Sequence, residues 1–496
     1  MIQFEARTRR YNMHGILRDC LEVYYKIDNI PEIRKRYCRT FGQVIRELSS
    51  RMETSEYVEA YADINQEHPN LRKMLTDVMH SEQESFPFYV EMATSSASLI
   101  IAFFGNESIQ FFTKCFELAE LYGKQRDRAL VMTHYGRALT NVKSDFVEGR
   151  RMLTMAMDIM EQSPPSESLA AILLSLGWTV YLQGDIPEAA KHFSRGLEVT
   201  QETGCENSLI KCKFLNCLGL ANNAEGNQEA AEKYMFGALR SYIKKIGNEH
   251  PCVGSVYNNI GLLMKSKHDH DKAKEYFELG LQIKQKMKAP LTATIVSQNN
   301  VADSYITLER YFEAKILLES ALASLEYTPG LYSFERGLIF DTFGKMYLKQ
   351  ENYQDAIATL QKAVDIRRTY NEGSVNHIES LIHLGKAYKG AGAEDEALKS
   401  FEEAVFYESK VYKWKIDALR MDSYYLEMID ILTNLGDVIR VKAVYKKATA
   451  HLTAMIKMNQ TKPRPHLVEQ YEKQLAELQE SQHTNSLLCK LESCNT

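Results

Sequence analysis

Three asparagines and an aspartate recur along this chain at nearly constant intervals: Asn216, Asn258, Asn299 and Asp341. A carboxamide offers both a donor and an acceptor, so a row of them can hydrogen-bond an extended peptide backbone whatever its side chains. Lys213, Asn223, Lys265, Lys345 and Lys386 accompany the row and could supply charge for an acidic ligand. Residues of these types at this spacing are suited to holding a partner rather than transforming one; the alternative is that the asparagines bond to neighbouring helix ends.

Reactive constellations are hard to find. His268, Asp269, His270 and Asp271 combine imidazole and carboxylate, which suit zinc or manganese. Four adjacent residues on one short turn rarely close a tetrahedral shell by themselves, so a solvated turn and no metal are expected. The nine cysteines are scattered, odd in number and without any CxxC pair, which fits a reduced chain and ordinary thiols. A P-loop needs G-x-x-x-x-G-K-[ST], so that backbone amides and the lysine hold the phosphates. The three Gly-Lys pairs, at Gly123, Gly344 and Gly385, have Leu118, Ile339 and Ser380 where the first glycine should stand. Gly390-Ala391-Gly392 is a lone G-x-G in a turn. No Ser-His-Asp or paired-carboxylate arrangement stands out, and neither an enzyme nor a cofactor is expected.

Sixty basic against 65 acidic residues give a net charge of −5, with no long single-sign block, which argues against a nucleic-acid partner. The opening MIQFEARTRR is charged where a signal peptide needs an apolar run. The most apolar stretch, Ala97 to Phe104, is far shorter than the roughly 20 residues of a membrane span. It is expected to be a buried helix, in a chain that touches no membrane and resides in the cytoplasm.

What positions the candidate residues is a repeated pair of helices. Asp341 to Ile366 reads as two short amphipathic helices with Phe343, Gly344 and Tyr347 on one stripe and Ala356, Leu360 and Ala363 on the other. Equivalent small residues in the first helix are Gly177, Gly219, Gly261, Ala302, Gly344 and Gly385, which recur with a period of roughly 42 residues. Ala189, Ala231, Ala273, Ala314, Ala356 and Ala397 follow at a fixed offset in the second helix, and Phe193, Met235, Phe277, Leu318, Leu360 and Phe401 come one helical turn beyond those. Turns at Gln183 to Asp185, Glu225 to Asn227 and Gly390 to Gly392 place glycine where a positive φ stops a helix. A period this constant without strand alternation predicts an all-α, elongated solenoid.

The order Φ-G-x-x-Y…A-x-x-x-Φ-x-x-A resembles the tetratricopeptide repeat, a right-handed superhelical α-solenoid. The familiar unit is roughly 34 residues. The longer period here, with Glu249-His250-Pro251 before Asn258-Asn259, looks like the kinesin light chain type of repeat. In such repeats the first helices line a concave groove, and the residue three before the small one points into it. The resemblance therefore implies a groove set comprising Asn216, Asn258, Asn299, Asp341, Lys213, Asn223, Lys265, Lys345 and Lys386, binding a protein or peptide. The repeats lack the Lys/Asn and Lys/Arg combination with which chaperone-binding members clamp a C-terminal carboxylate.

Towards the N-terminus, Tyr11, Met13, Ile16, Leu17 and Leu21 outline a helical face. Arg-Tyr-x-Met-His-x-x-Leu-Arg, from Arg10 to Arg18, resembles the last helix of the winged-helix module in NB-ARC signalling proteins of the STAND class. Glu67 to Leu75, with Pro69 opening a helix, resembles the connector to their sensor repeats. The implied division is a winged-helix remnant over 1–28, a helical connector over 29–85, the solenoid over 86–460, a capping helix over 461–482 and a disordered tail over 483–496. The solenoid opens with an irregular pair, Ala93 to Phe104 and Ile109 to Tyr122, and a second centred on Gly136 and Leu153. The implied function is a non-catalytic interaction scaffold, such as the sensor arm of a STAND protein without its nucleotide-binding domain. The alternatives are a cargo adaptor like kinesin light chain, which would need an N-terminal heptad coiled coil, and a fragment of a complete signalling ATPase.

Overall fold

The computed structural model describes residues 2–5, 10–13, 30–78, 86–143, 145–204, 208–326, 333–370, 372–408, 422–460 and 465–484. Its framework is a ladder of antiparallel helix pairs: α7–α8 (Glu167–Leu182, Ile186–Glu202), α9–α10 (Leu209–Ala224, Gln228–Ile246), α11–α12 (Pro251–Ser266, His270–Lys286), α13–α14 (Leu291–Thr307, Tyr311–Glu326), α15–α16 (Ser333–Lys349, Tyr353–Tyr370) and α17–α18 (Val375–Gly390, Glu394–Tyr407). First helices touch one another from repeat to repeat as well as their own partners, so they form an inner layer. The fold is an all-α solenoid.

Each hairpin closes on one small-to-large contact. A Cβ added at Gly261 would lie 2.6 Å from the ring of Phe277, and one at Gly177 2.6 Å from the ring of Phe193. Helix backbones can thus approach only where the side chain is missing, and the aromatic ring of the second helix fills the space beside it. Two helical turns past each small residue the chain takes a left-handed conformation, at Gly184, Gly226, His268, Glu309, Glu351 and Gly392. The glycine turns stand as the sequence predicts; His268, Glu309 and Glu351 adopt the same φ without glycine's freedom. The next residue caps the second helix in several units: Asp185 accepts from the Glu188 amide at 3.4 Å and Asp269 from that of Lys272 at 3.2 Å. Asp269 thus serves its helix, and among the described residues no three His, Cys, Asp or Glu side chains converge on a metal-sized space.

Ahead of the regular units lie α1 (Ile30–Arg51), α2 (Tyr57–Val78), α3 (Phe86–Ser95), α4 (Ala97–Tyr122), α5 (Gln125–Ala138) and α6 (Phe146–Met160). The expected pair boundary moves: Ala93 belongs to α3, the chain bends at Ser96, and Gly105, at φ 41, breaks α4 instead of ending it. Ala97, Leu99, Ile100 and Phe104 are buried as expected, and no single helix is long and apolar enough to cross a membrane. A π-turn at Leu139–Lys143 follows α5, which accounts for the irregular spacing from Gly136 to Leu153. Pro69 sits inside α2 rather than opening a helix. Ile64, Leu71 and Met74 are buried on either side of it and the His68 ring stacks on Phe104 at 4.8 Å, so packing carries the helix across the missing amide.

Of the helix expected over Arg10 to Arg18, the described part begins as a strand instead. Arg10–Met13 is a strand, β2, antiparallel to β1 (Ile2–Glu5), with Ile2 opposite Met13 and Phe4 opposite Tyr11. Alternation of apolar and polar residues in both segments matches period two, which suits a hairpin as well as Tyr11 and Met13 suit a helix. Ile16, Leu17 and Leu21 lie outside the described residues. At the other end α19 (Asp422–Asn434) and α20 (Val438–Gln460) make a last unit, turned at Gly436, with Leu432, Tyr445 and Ala448 buried. The final helix, α21 (Pro465–Thr484), buries Tyr471 and Leu478 and covers the end of the stack, shifted slightly along the chain from the span the sequence suggests. The tail beyond it lies outside the described residues.

Candidate functional site

The carboxamide row stitches neighbouring first helices together. Asn259 donates to Asn216 Oδ1 at 2.9 Å, and Asn300 donates to Asn258 Oδ1 at 3.0 Å. Asn223 Oδ1 accepts from the Ser266 hydroxyl at 2.6 Å. Asn258 is 6% exposed and Asn299 3%, with the Oδ1 of Asn299 meeting no donor among the described residues. Asp341, 1% exposed, accepts from Ser380 Oγ at 2.9 Å and lies 3.1 Å from His383 Nδ1 and 2.9 Å from Lys345 Nζ. Asn258, Asn299 and Asp341, expected to face a ligand, are buried in this structure. A buried polar group needs a partner, and for Asn258 and Asp341 the next repeat supplies it from one residue along the helix, at Asn300 and His383.

Two of the lysines are similarly committed. Lys265 pairs with Asp303, and Lys345 with Asp341. Burial opposes the charge on Lys345, but Asp341 and Asp303 beside it more than offset this and hold the ammonium above its usual range. Burial likewise opposes ionisation of Asp341, and Lys345, His383 and Arg367 hold its carboxyl well below the ordinary range. Lys386 is half-buried and drawn below its usual value by burial. Leu118, Ile339 and Ser380, the positions that would open a P-loop, all lie inside helices.

Two residues of the expected set, Lys213 and Asn216, line a cavity of about 760 Å³. One wall comes from the first helices: His134 and Arg137 of α5, Ala171, Leu174 and Trp178 of α7, and Ile210 of α9. The opposite wall is the end of α1 with Arg46, Ser49, Ser50 and Glu53, joined by Ser95 and Ser98 at the α3–α4 bend. Trp178 stacks on Tyr181 with ring centroids 5.5 Å apart. The N-terminal helices meet this face around Met52, Glu53 and Tyr57. His250 caps α11, its Nδ1 accepting from the Cys252 amide at 3.1 Å, which leaves the proton on Nε2 to be donated to the Met52 carbonyl at 3.1 Å. The Tyr57 ring meets the His250 ring edge-on at 5.2 Å, and Glu53 lies 3.5 Å from Lys213.

Charge in the cavity is uneven. Arg46 pairs with Glu91, and Lys213 with Glu53. Arg137 instead donates to the Ser98 hydroxyl at 3.1 Å and approaches His134 Nδ1 at 3.3 Å, with no carboxylate within ion-pair reach among the described residues. Burial lowers His134 to about 3, Arg137 adding to the effect, so the imidazole is neutral at ordinary pH and its Nδ1 accepts. Burial draws Arg137 itself down from its usual value, Glu53 acting in the other direction from a distance.

Sequence reading missed Arg137, Trp178 and His250, along with a second periodic position. At one shared offset past the small residue, near the end of the second helix, stand Lys284, Arg367 and Glu408, all buried. Lys284 Nζ donates to the Ala293 carbonyl at 3.2 Å and to Ser297 Oγ at 2.9 Å, and burial lowers it to about 8. Arg367 makes the equivalent bonds to the Asn376 carbonyl and Ser380. The shared spacing was the available signal, hidden because Thr200, Tyr242 and Leu325 occupy it in the other units. Of the thiols, Cys115 and Cys217 are buried and burial raises both, Cys217 to about 12, so neither is a nucleophile at ordinary pH.

Comparison with known proteins follows the same architecture. Residues 212–286, 292–368 and 335–405 match the family model of the tetratricopeptide repeat. A protein of Arabidopsis thaliana, Protein KINESIN LIGHT CHAIN-RELATED 3, is 24% identical over 282 residues, 52% of this chain and 43% of that protein. A Clustered mitochondria protein homolog of Danio rerio is 25% identical over 206 residues, 41% of this chain and 14% of that protein. The chain thus spans less than half the length of these curated relatives. Among solved structures, a Rap protein complexed with Competence and Sporulation Factor superposes with a TM-score of 0.56 at 11% identity, over 75% of this chain and 99% of that one.

Proposed function

Since this chain is a tetratricopeptide repeat protein with units of the kinesin light chain type, we propose that it is a non-catalytic scaffold that receives a segment of a partner protein on the inner face of its first helices. The observation that carries this reading is the cavity of about 760 Å³ between α1 and the helices α5, α7 and α9. Its lining mixes serine, threonine and asparagine side chains with Trp178, Leu174 and Ile210, a surface able to meet both the backbone and the apolar side chains of a peptide. The second helices face the other way and carry isolated exposed residues such as Phe312 and Val147 of the outer layer.

A finer reading, the sensor arm of a signalling protein, is supported by the docking of α1 and α2 onto this face through Met52–His250 and Glu53–Lys213. A segment entering the cavity presses on the same helices that lead to the N-terminus. The cargo-adaptor alternative draws on the kinesin light chain-related match, but α1 and α2 pack on each other and on the solenoid instead of forming an extended coiled coil.

Site-specific photo-crosslinking tests the reading. A benzophenone amino acid in place of Leu174 should crosslink a partner in cells, whereas the same group in place of Phe312 should not. Crosslinking at Phe312 alone would place the partner on the outer face and remove the groove reading.

A further inference from the structure

We propose that Arg137 is the anchor for an acidic side chain, an Asp or Glu flanked by apolar residues, in the peptide segment that the cavity receives. This rests on the groove reading above and specifies its ligand. Most cations at the cavity are neutralised in place: Arg46 by Glu91 and Lys213 by Glu53. Among the described residues Arg137 bonds only to neutral groups, Ser98 Oγ at 3.1 Å and neutral His134 at 3.3 Å, while Glu53 acts on it from a distance. These contacts hold the guanidinium in place without compensating its charge, and a guanidinium carries more N–H donors than they use. A half-buried cation left without a counter-ion is costly, and an arriving carboxylate can take a bidentate, charge-assisted pair from it.

The surroundings select among anions. Glu53 and Glu167 in the lining disfavour a dianion such as a phosphate, so a singly charged carboxylate fits better. Ala171, Leu174, Trp178 and Ile210 offer apolar surface beside the charge. Ser208, whose buried Oγ meets no partner among the described residues, adds a hydroxyl able to bond a peptide backbone. Asn216 belongs both to the cavity wall and to the row that continues along α11 and α13. The ligand proposed is a side-chain carboxylate; a C-terminal carboxylate offers the same chemistry and is separated from it by the test.

The test uses the full chain with Trp414→Phe, leaving Trp178 as the only tryptophan. Three labelled octapeptide pools serve as probes, random except at one central position: end-blocked with Asp, end-blocked with Asn, and Asn with a free C-terminus. The Asp pool should bind most tightly and change Trp178 fluorescence. Arg137→Gln should weaken Asp-pool binding about ten- to a hundredfold and leave the Asn pools unchanged. Arg137→Lys, which keeps the charge without the planar fork, should fall between, and its melting temperature guards against misfolding as the cause. An Asp preference that survives Arg137→Gln, equal binding of the two blocked pools, or preference for the free C-terminus each overturns the anchor while leaving the groove reading intact. Failure of every pool to bind the unmutated arginine protein overturns both.

Discussion

Asn300 donates its side-chain amide to the carboxamide oxygen of Asn258 at 3.0 Å, repeating one unit later the 2.9 Å bond from Asn259 to Asn216. The bond ties the first helix of one unit to that of the next. Removing Asn258 strands the partner amide in a half-buried place, at a cost of about 1 to 3 kcal/mol. Asn258→Ala should therefore lower the melting temperature while leaving peptide-pool affinity within twofold. An affinity loss of tenfold at unchanged melting temperature would return the asparagines to the binding surface.

Gly261 faces the Phe277 ring so closely that an added Cβ would lie 2.6 Å away. Gly261→Ala should destabilise by about 1 to 3 kcal/mol through overpacking. In the double variant with Phe277→Leu, chemical denaturation should recover part of that loss; additive losses would show that the glycine is needed for another reason.

Glu351 is exposed and holds φ 57 at the inter-helix turn where Gly184 and Gly392 stand in other units. Glu351→Gly relieves the left-handed strain and should stabilise by about 0.5 kcal/mol, net of the added freedom of the unfolded chain. Gly184→Ala, the reverse change, should cost about 1 kcal/mol. Equal effects of both would mean the turn relaxes to another conformation.

Glu408 is wholly buried, donated to by the Tyr424 hydroxyl, and burial raises it to about 8, while the Tyr424 bond acts the other way. A raised acid binds more protons folded than unfolded, so its contribution is full below about pH 4.5 and is lost as pH rises towards 8. His451, 3.7 Å from Glu408 and lowered to about 4 by burial, acts in the opposite sense, its contribution fading as pH falls from 6.5 towards 4. Glu408→Gln should remove the alkaline decline, gaining on the order of 2 kcal/mol relative to wild type between pH 5 and pH 8. Parallel stability curves for the two proteins over that range would refute a neutral buried Glu408.

Much of the architecture was legible because its signals are local and repeated. Gly177 and Phe193, or Gly261 and Phe277, sit on two helices joined by one short turn, and their complementarity reappears in each unit. Lys284 and Arg367 were overlooked because their position carries a cation in only two of the six units, and a pattern broken by Thr200, Tyr242 and Leu325 does not announce itself as periodic.

The sequence by itself determined the period, the small-to-large pairing within each hairpin, and the turns at Gly184, Gly226 and Gly392, because each depends on residues a few turns apart. Only the tertiary structure decided what faces what between units. Whether Asn258 meets a ligand or Asn300 depends on the rotation between stacked helices, which shifts the contact by one position. That α1 returns to meet His250, far along the chain from Met52, follows from superhelical curvature. Curvature accumulates from small rotations over many units, and no single stretch of sequence encodes it.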